Sequence, residues 1–179
     1  MTTNRYKQFQ RVADEVFHAT TASVDLDLMD LGNLVSLAEG VGRERLRFCA
    51  HRSRDDFLHE MFIVHPRGAY VRPHKHIGKS ESTLILEGEI DYFEFDLDGE
   101  INQLTRMGDL HSRKPFYKRI GESTYHSFLI RSARVVFLEV TQGPFQKSDT
   151  FLAPWSPADE KTEDARVFLK NLEKRSQGI

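Results

Sequence analysis

The sequence has 179 residues, which suits one domain with a sizeable hydrophobic core. Its formal net charge of −2 argues against a nucleic-acid-binding protein, and no apolar stretch approaches the length that spans a membrane. A single cysteine excludes an internal disulfide, and the polar N-terminus lacks the apolar core of a signal peptide, so we expect a cytoplasmic protein with no membrane partner.

Residues 1–44 carry mainly helical patterns. Apolar side chains recur at helix-like intervals over Tyr6–His18, although the end of this stretch fits a short strand equally well. A second helix is predicted after Asp27, because this residue type caps helices and the apolar residues that follow share one face. Gly40 and Gly42 would end it. We therefore predict an N-terminal helical extension.

From residue 45 to about residue 150 the pattern changes to short strands joined by tight turns, with no strand–helix–strand alternation. The predicted strands cover residues 45–51, 61–64, 69–76, 82–87, 89–97, 101–110, 125–130 and 135–140. Such a series predicts an antiparallel sandwich or barrel. Residues 151–179 form a third segment, in which a proline-pinned stretch precedes a closing helix over Glu163–Ser176.

Three metal-ligand residue types lie at fixed spacing between Gly68 and Gly88. His74 and His76 are two residues apart, so on a strand their side chains point the same way. A turn at Gly78 would then bring Glu81 to face them. Two neutral imidazoles and one carboxylate form three corners of a divalent metal site. The alternative is that the three residues share a solvated loop without function.

The spacing of these residues, G-x5-H-x-H-x4-E-x6-G, resembles the first signature motif of the cupins at every defined position. The second cupin motif places a histidine after a turn that contains proline and glycine. His126 is our choice for this fourth ligand, since it begins an apolar strand after a turn-like segment. The match is looser there, because Gly121 and Ser123 replace the usual proline and second glycine. The alternative is a satisfied core histidine.

Residues 43–157 resemble the WbuC family of cupin-fold metalloproteins. The resemblance is carried by residues 45–51, 70–76, 79–82, 87–101, 125–128 and 143–157, of which the last two blocks are the most specific. It implies a mainly β protein with a single cupin barrel (a double-stranded β-helix or jelly roll) over residues 45–150, between N-terminal helices and a C-terminal helix. It also implies one bound divalent metal ion, a homodimer, and an association with O-antigen and other surface-polysaccharide gene clusters, without defining a reaction.

A site of three imidazoles and one carboxylate would leave one or two coordination positions open for substrate or water. Such sites take Fe(II), Mn(II), Ni(II) or Zn(II). An iron site would suit a dioxygenase, whereas a zinc or manganese site would suit an isomerase or epimerase. Two alternatives stay open: a non-catalytic sugar- or metabolite-binding module, and a metal-free, epimerase-like cupin that uses a histidine as base.

Five further residues are candidates for binding a small anionic ligand, such as a sugar phosphate or a sugar nucleotide. Tyr70 and Arg72 share strand parity with the two histidines, and a buried arginine needs an anionic partner. The alternative for Arg72 is a structural ion pair with an acidic residue, Glu60, Glu87 or Glu139. Lys79 and Arg119 belong to a basic group near the expected mouth, and Tyr117 would stack on a ring; solvated charges and simple packing are the alternatives.

Overall fold

The structure is a computed structural model that describes residues 8–40, 45–158 and 162–179. In this part of the chain it has twelve strands and two α-helices. The strands are β1 (Phe9–Ala13), β2 (Val16–Ala19), β3 (Leu46–Cys49), β4 (Leu58–Pro66), β5 (His74–His76), β6 (Glu81–Glu87), β7 (Glu89–Phe95), β8 (Ile101–Gly108), β9 (Tyr117–Ile120), β10 (Tyr125–Ile130), β11 (Arg134–Gln142) and β12 (Thr150–Leu152). The helices are α1 (Leu28–Gly40) and α2 (Glu163–Gln177). Among the described helices, neither is long and apolar enough to cross a membrane.

The strands form two sheets, ordered β1-β2-β3-β4-β11-β6-β9 and β12-β5-β10-β7-β8. Neighbouring strands are antiparallel except β2 and β3, which are parallel. From β4 to β7 the chain enters the other sheet with each successive strand, and it does so again from β8 to β12. This winding is that of a double-stranded β-helix, so the predicted mainly β, jelly-roll barrel is confirmed.

Each face of the sheets has its own apolar cluster. The barrel interior contains inward-facing residues of both sheets, including Tyr92 and Phe137. The outer face of the seven-stranded sheet packs against α1, and that of the five-stranded sheet packs against α2. Tyr92 lies in the interior cluster and its neighbour Phe93 in the cluster under α2, so β7 is buried on both faces. This double burial explains why β7 carries apolar residues on both faces, Ile90 and Tyr92 inside the barrel and Phe93 and Phe95 under α2.

The predicted helix over Tyr6–His18 is wrong for the described residues, since Phe9–Ala13 and Val16–Ala19 are paired strands. Pairing and packing with the barrel decide the conformation. Phe17 stacks on Phe48 of β3 at a centroid distance of 4.7 Å, and β2 extends the seven-stranded sheet. Residues 6 and 7, and Gly42, lie outside the described residues.

The remaining helix predictions are close to the structure, whereas several strand boundaries are not. Helix α1 runs to Gly40, and α2 covers the predicted closing helix with one further residue. The predicted strand over residues 69–76 is a strand only at His74–His76, and β9 and β12 were not predicted. The division of the chain at residues 44 and 150 stays a prediction.

Helix α2 is fixed to the barrel through Arg131, which follows β10. Its guanidinium binds Asp91 of β7 at 2.6 Å and Glu173 of α2 at 2.7 Å, and it also donates to Ser176 Oγ. Asp91 is only 4% exposed. The arginine therefore neutralises a buried carboxylate and joins the helix to the five-stranded sheet.

Replacing Arg131 with methionine is expected to lower the free energy of unfolding by about 3 kcal/mol, because it leaves Asp91 buried without its cation. Urea unfolding measures this change. The matched control is Arg166→Met in helix α2, whose partner Glu163 is as exposed as Arg166 itself. We expect this control to change stability by less than about 0.5 kcal/mol. Equal losses in the two variants would contradict the assigned role of Arg131.

Candidate metal centre

The structure brings together the four residues that the sequence singled out, from both sheets of the barrel. His74 and His76 lie on β5, and the Cα of His74 is paired with that of His126 on β10. Glu81 is the first residue of β6, in the opposite sheet. One ligand atom from each of the four lies within 4.8 Å of the others. The cluster therefore spans the barrel between its two sheets, with Glu81 and His126 buried.

Hydrogen bonds to the backbone orient two of the imidazoles. His74 Nδ1 donates to the carbonyl oxygen of Arg72 at 2.8 Å, and His126 Nδ1 donates to that of Thr124 at 2.9 Å. When Nδ1 carries the proton, the lone pair of Nε2 is free to bind an ion. This outer hydrogen bond, which fixes tautomer and ring orientation, is typical of metal-bound histidines.

The third imidazole and the carboxylate complete the set. His76 Nδ1 shares a hydrogen bond of 3.1 Å with the hydroxyl of Thr150 on β12. His76 Nε2 then faces Glu81 Oε2 at 3.3 Å, while the other carboxylate oxygen is 3.6 Å from His126 Nε2. The carboxylate thus lies between two Nε2 atoms, as a shared ligand of one central ion would.

Two observations show that these residues fit a cation. His126 Nε2 is buried and makes no hydrogen bond within the described chain, which costs about 1–3 kcal/mol unless a bound ion takes its lone pair. Burial alone would lower the pKa of His126, yet the Glu81 carboxylate raises it, so positive charge is favoured beside this carboxylate. A divalent ion supplies that charge with the neutral nitrogen and carboxylate ligands that it prefers.

His74 and Glu81 are in the protonation states that metal binding requires. Burial and the neighbouring His126 lower the pKa of His74 to about 3, so its imidazole is neutral near pH 7. Burial would raise the pKa of Glu81, but the charge of His126 and the close contact with His76 lower it well below its usual range. The site therefore presents neutral nitrogen and ionised oxygen at the same place.

A cavity of about 420 Å³ opens beside the four residues. Its wall combines the metal-ligand candidates with apolar side chains, including Phe128 and Phe137, and a few charged groups. A volume of this size accommodates a small molecule, and an apolar wall with few polar groups is typical of ligand-binding sites.

Two charged residues of this wall, Arg47 and Glu139, were not identified as site residues in the sequence analysis. Arg47 of β3 has a buried Nε with no hydrogen-bond partner among the described residues. Burial and the Glu81 carboxylate raise the pKa of Glu139 on β11 to about 8, against the opposing effects of Arg47 and His126. Their signal in the sequence is a charge inside an apolar strand, since Arg47 stands between Leu46 and Phe48.

Arg72 and Lys79 line the cavity, but protein groups already hold both side chains. Arg72 donates to Ser156 Oγ at 3.1 Å and to the carbonyl oxygen of Ala153 at 3.3 Å. It therefore anchors the C-terminal segment and makes no ion pair with Glu60, Glu87 or Glu139 among the described residues, while its contact with a ligand stays a prediction. Lys79 pairs with Asp149 at 2.9 Å.

The other three predicted ligand contacts lie outside the cavity wall. The hydroxyl of Tyr70 donates to the carbonyl oxygen of Pro157 at 3.0 Å, so this side chain also holds the C-terminal segment. Tyr117 and Arg119 lie exposed on β9, an edge strand of the seven-stranded sheet. Their positions do not support the prediction that they contact a ligand bound at the centre.

Comparisons with known proteins give one match to a sequence profile and several to solved structures. Residues 26–107 match the sequence profile of a domain of unknown function, DUF6016. A search of the curated proteins finds no match. By its strand order the protein has the cupin fold. Many solved structures match the chain, and three of them are named below.

Three of these structures show how similar the matching proteins are to this chain. CapF with the inhibitor 3-isopropenyl-tropolone matches with a TM-score of 0.47 and 14% identity, over 60% of this chain and 30% of CapF. Oxalate decarboxylase from Bacillus subtilis matches with a TM-score of 0.45 and 18% identity, over 66% of this chain and 29% of the enzyme. An uncharacterized protein with a double-stranded β-helix domain from Klebsiella pneumoniae matches with a TM-score of 0.48 and 14% identity, over 62% of this chain and 80% of that protein. The chain thus spans about 30% of the first two proteins, and these similarities concern the fold alone.

Proposed function

We propose that this cupin binds one divalent metal ion through His74, His76, Glu81 and His126, and that the adjoining cavity binds a small anionic substrate. The observation that carries the proposal is the buried Nε2 of His126, which makes no hydrogen bond among the described residues and lies 3.6 Å from the ionised Glu81. The ion would be iron, manganese, nickel or zinc, since each of these binds sets of imidazole and carboxylate. When bound, it would supply Lewis-acid or, for iron, redox chemistry.

Arg47 would bind the anionic group of the substrate. Its guanidinium faces the cavity, and its Nε has no hydrogen-bond partner among the described residues, so a donor is available. Guanidinium binds carboxylate and phosphate through paired hydrogen bonds, and such charge-assisted bonds are strong where water is excluded. Arg72 was one candidate for this role in the sequence analysis, but Arg72 donates to Ser156 and Ala153 of the C-terminal segment.

Glu139 would move a proton on the bound substrate. Its pKa, raised to about 8 by burial and by Glu81, places its titration near neutral pH, where a general acid or base works best. Both Arg47 and Glu139 lie on the cavity wall with the metal-ligand candidates. A substrate held by Arg47 would therefore have a proton donor and a metal ion on the same wall.

The substrate class rests on the WbuC resemblance, which supports a sugar-derived compound in surface-polysaccharide synthesis of the O-antigen type. The reaction would then be an isomerisation or epimerisation, or, with iron, a dioxygenation. The cytoplasmic location and the homodimer are part of the same proposal. A cavity wall that carries both an arginine and a carboxyl group agrees with a polar, anionic ligand.

A thermal-shift screen of the metal-loaded protein with sugar phosphates, sugar nucleotides and simple carboxylates tests binding. A ligand present at 100 times its Kd should stabilise the protein by about 2.7 kcal/mol. We expect Arg47→Met to weaken that ligand by roughly 10- to 100-fold, because a charge-assisted hydrogen bond is lost. Arg119→Met, at an exposed position of β9, is the control and should leave binding unchanged. Equal affinity in Arg47→Met and wild type would contradict the assignment.

Turnover of the ligands found in that screen separates an enzyme from a binding module. An enzyme should convert one of them, with oxygen supplied for the dioxygenase case, and Glu139→Gln should lower kcat by roughly 10²- to 10⁴-fold while binding is kept. Stabilisation without product from any bound ligand would favour the alternative, a non-catalytic sugar- or metabolite-binding module in which the metal only organises the cavity.

A further inference from the structure

A second group of metal-ligand side chains lies on the inner side of the seven-stranded sheet and shares no residue with the first. His18 of β2 is paired in register with Cys49 of β3, and His51 follows two residues after the cysteine. Ligand atoms of the three lie within 4.8 Å of one another. All three are buried, with exposed fractions of 9%, 2% and 7%. Three donors of soft or borderline character therefore converge where two strands meet.

Protein hydrogen bonds satisfy only part of this group. His18 Nδ1 is buried and has no hydrogen-bond partner among the described residues, and Cys49 is a free thiol. His51 Nδ1 lies 3.3 Å from the carbonyl oxygen of Glu60 and 3.2 Å from its amide nitrogen. The tautomer that donates to the carbonyl leaves His51 Nε2 free as a metal ligand.

Packing alone does not explain these residue types. The His18 ring meets that of His51 edge-on at 5.1 Å, and the His59 ring stacks on the other side of His51 at 4.0 Å. Aliphatic side chains would fill this space without burying ring nitrogens, and each unsatisfied buried polar group costs about 1–3 kcal/mol. His59 Nε2 is also buried and unpartnered within the described chain. A cation at this place would remove part of that cost.

We propose that His18, Cys49 and His51 bind a second metal ion, Zn²⁺, which fixes β2 to β3. One thiolate and two imidazoles are the ligand types of zinc sites, and the set excludes the hard cations that prefer oxygen. The thiol gives up its proton on binding, so one proton is released for each ion bound. The fourth tetrahedral position is left to water or to a shifted His59. The site is structural and independent of the metal centre in the barrel.

Cobalt(II) tests this site in the full-length protein, because a cobalt–thiolate bond gives a charge-transfer band in the near ultraviolet and the barrel centre contains no thiolate. Metal-free protein titrated with cobalt chloride should develop this band, and one added equivalent of Zn²⁺ per site should remove it. His126→Ala, which disrupts only the barrel centre, should keep the band. Cys49→Ser should lose it.

Zinc stoichiometry gives a second readout. Wild-type protein should bind two ions per chain, and Cys49→Ser and His126→Ala should each bind one. His18→Gln, checked by circular dichroism for an unchanged fold, should weaken the cobalt–thiolate complex at least about 10-fold. Wild-type protein that shows no thiolate band at saturating cobalt would overturn this proposal, whether or not the variants fold. One bound zinc ion that is lost in His126→Ala would also overturn it, and would leave the proposed function intact.

Discussion

Replacing His126 with alanine is expected to remove one bound metal ion per chain. This residue supplies the most deeply buried of the three imidazoles, and its Nε2 has no other partner among the described residues. Loss of an outer hydrogen-bond partner already costs roughly 10- to 100-fold in metal affinity, and loss of the ligand itself should cost more. Elemental analysis of protein purified without chelators or an affinity-tag metal column, together with calorimetric titration, measures the change.

The matched control is His111→Ala, since His111 lies exposed in the loop that follows β8. It should keep the wild-type metal content and affinity. Because removal of a buried side chain can unfold the barrel, His76→Ala provides a second test at a less buried ligand, with circular dichroism to check the fold. Unchanged metal content in both folded ligand variants would show that the ion binds elsewhere.

Gly88→Ala is expected to be among the most destabilising single substitutions, at about 3 kcal/mol. Gly88 joins β6 to β7 and has a φ of +89°, which costs other residues about 1–2 kcal/mol. A Cβ at this position would also collide with the carbonyl oxygen of Arg134 and lie 2.5 Å from Ser132 Oγ. Such overpacking adds about 1–3 kcal/mol. Urea unfolding measures the loss.

Gly68 provides the matched control because its φ is +87°, but a Cβ there would meet nothing within 4 Å. Gly68→Ala should therefore cost only the backbone contribution of about 1–2 kcal/mol. The difference between the two variants isolates the collision at Gly88. If both substitutions lower the free energy of unfolding equally, Gly88 does not approach Arg134 and Ser132 closely enough for a Cβ to collide with them.

The mainly β, antiparallel architecture and three of the four metal-ligand candidates followed from local patterns. Strand alternation places His74 and His76 on one side of β5, and the turn at Gly78, with a φ of +70°, allows β6 to begin at Glu81. His126 needed the resemblance to a second motif, because spacing alone does not reveal that β10 pairs with β5. Local sequence patterns alone were therefore enough to identify three of the four metal-ligand candidates, His74, His76 and Glu81.

The features that the sequence analysis missed depend on contacts between distant segments. Residues 8–19 form strands because β2 pairs with β3, about 30 residues away, and such pairing overrides helical periodicity. Arg72 donates to Ser156 and Ala153, more than 80 residues later. Glu139 enters the cavity wall because β11 pairs with both β4 and β6. None of these contacts can be derived from residue spacing.

The most direct test of the metal centre is an anomalous difference map from crystals of metal-replete protein, collected at the absorption edge of the metal found by elemental analysis. We expect one peak among His74, His76, Glu81 and His126, at about 2.0–2.2 Å from the three Nε2 atoms and one carboxylate oxygen. A map without a peak at that position, with Glu81 hydrogen-bonded to the imidazoles instead, would contradict the assignment of this barrel as a metal-binding cupin.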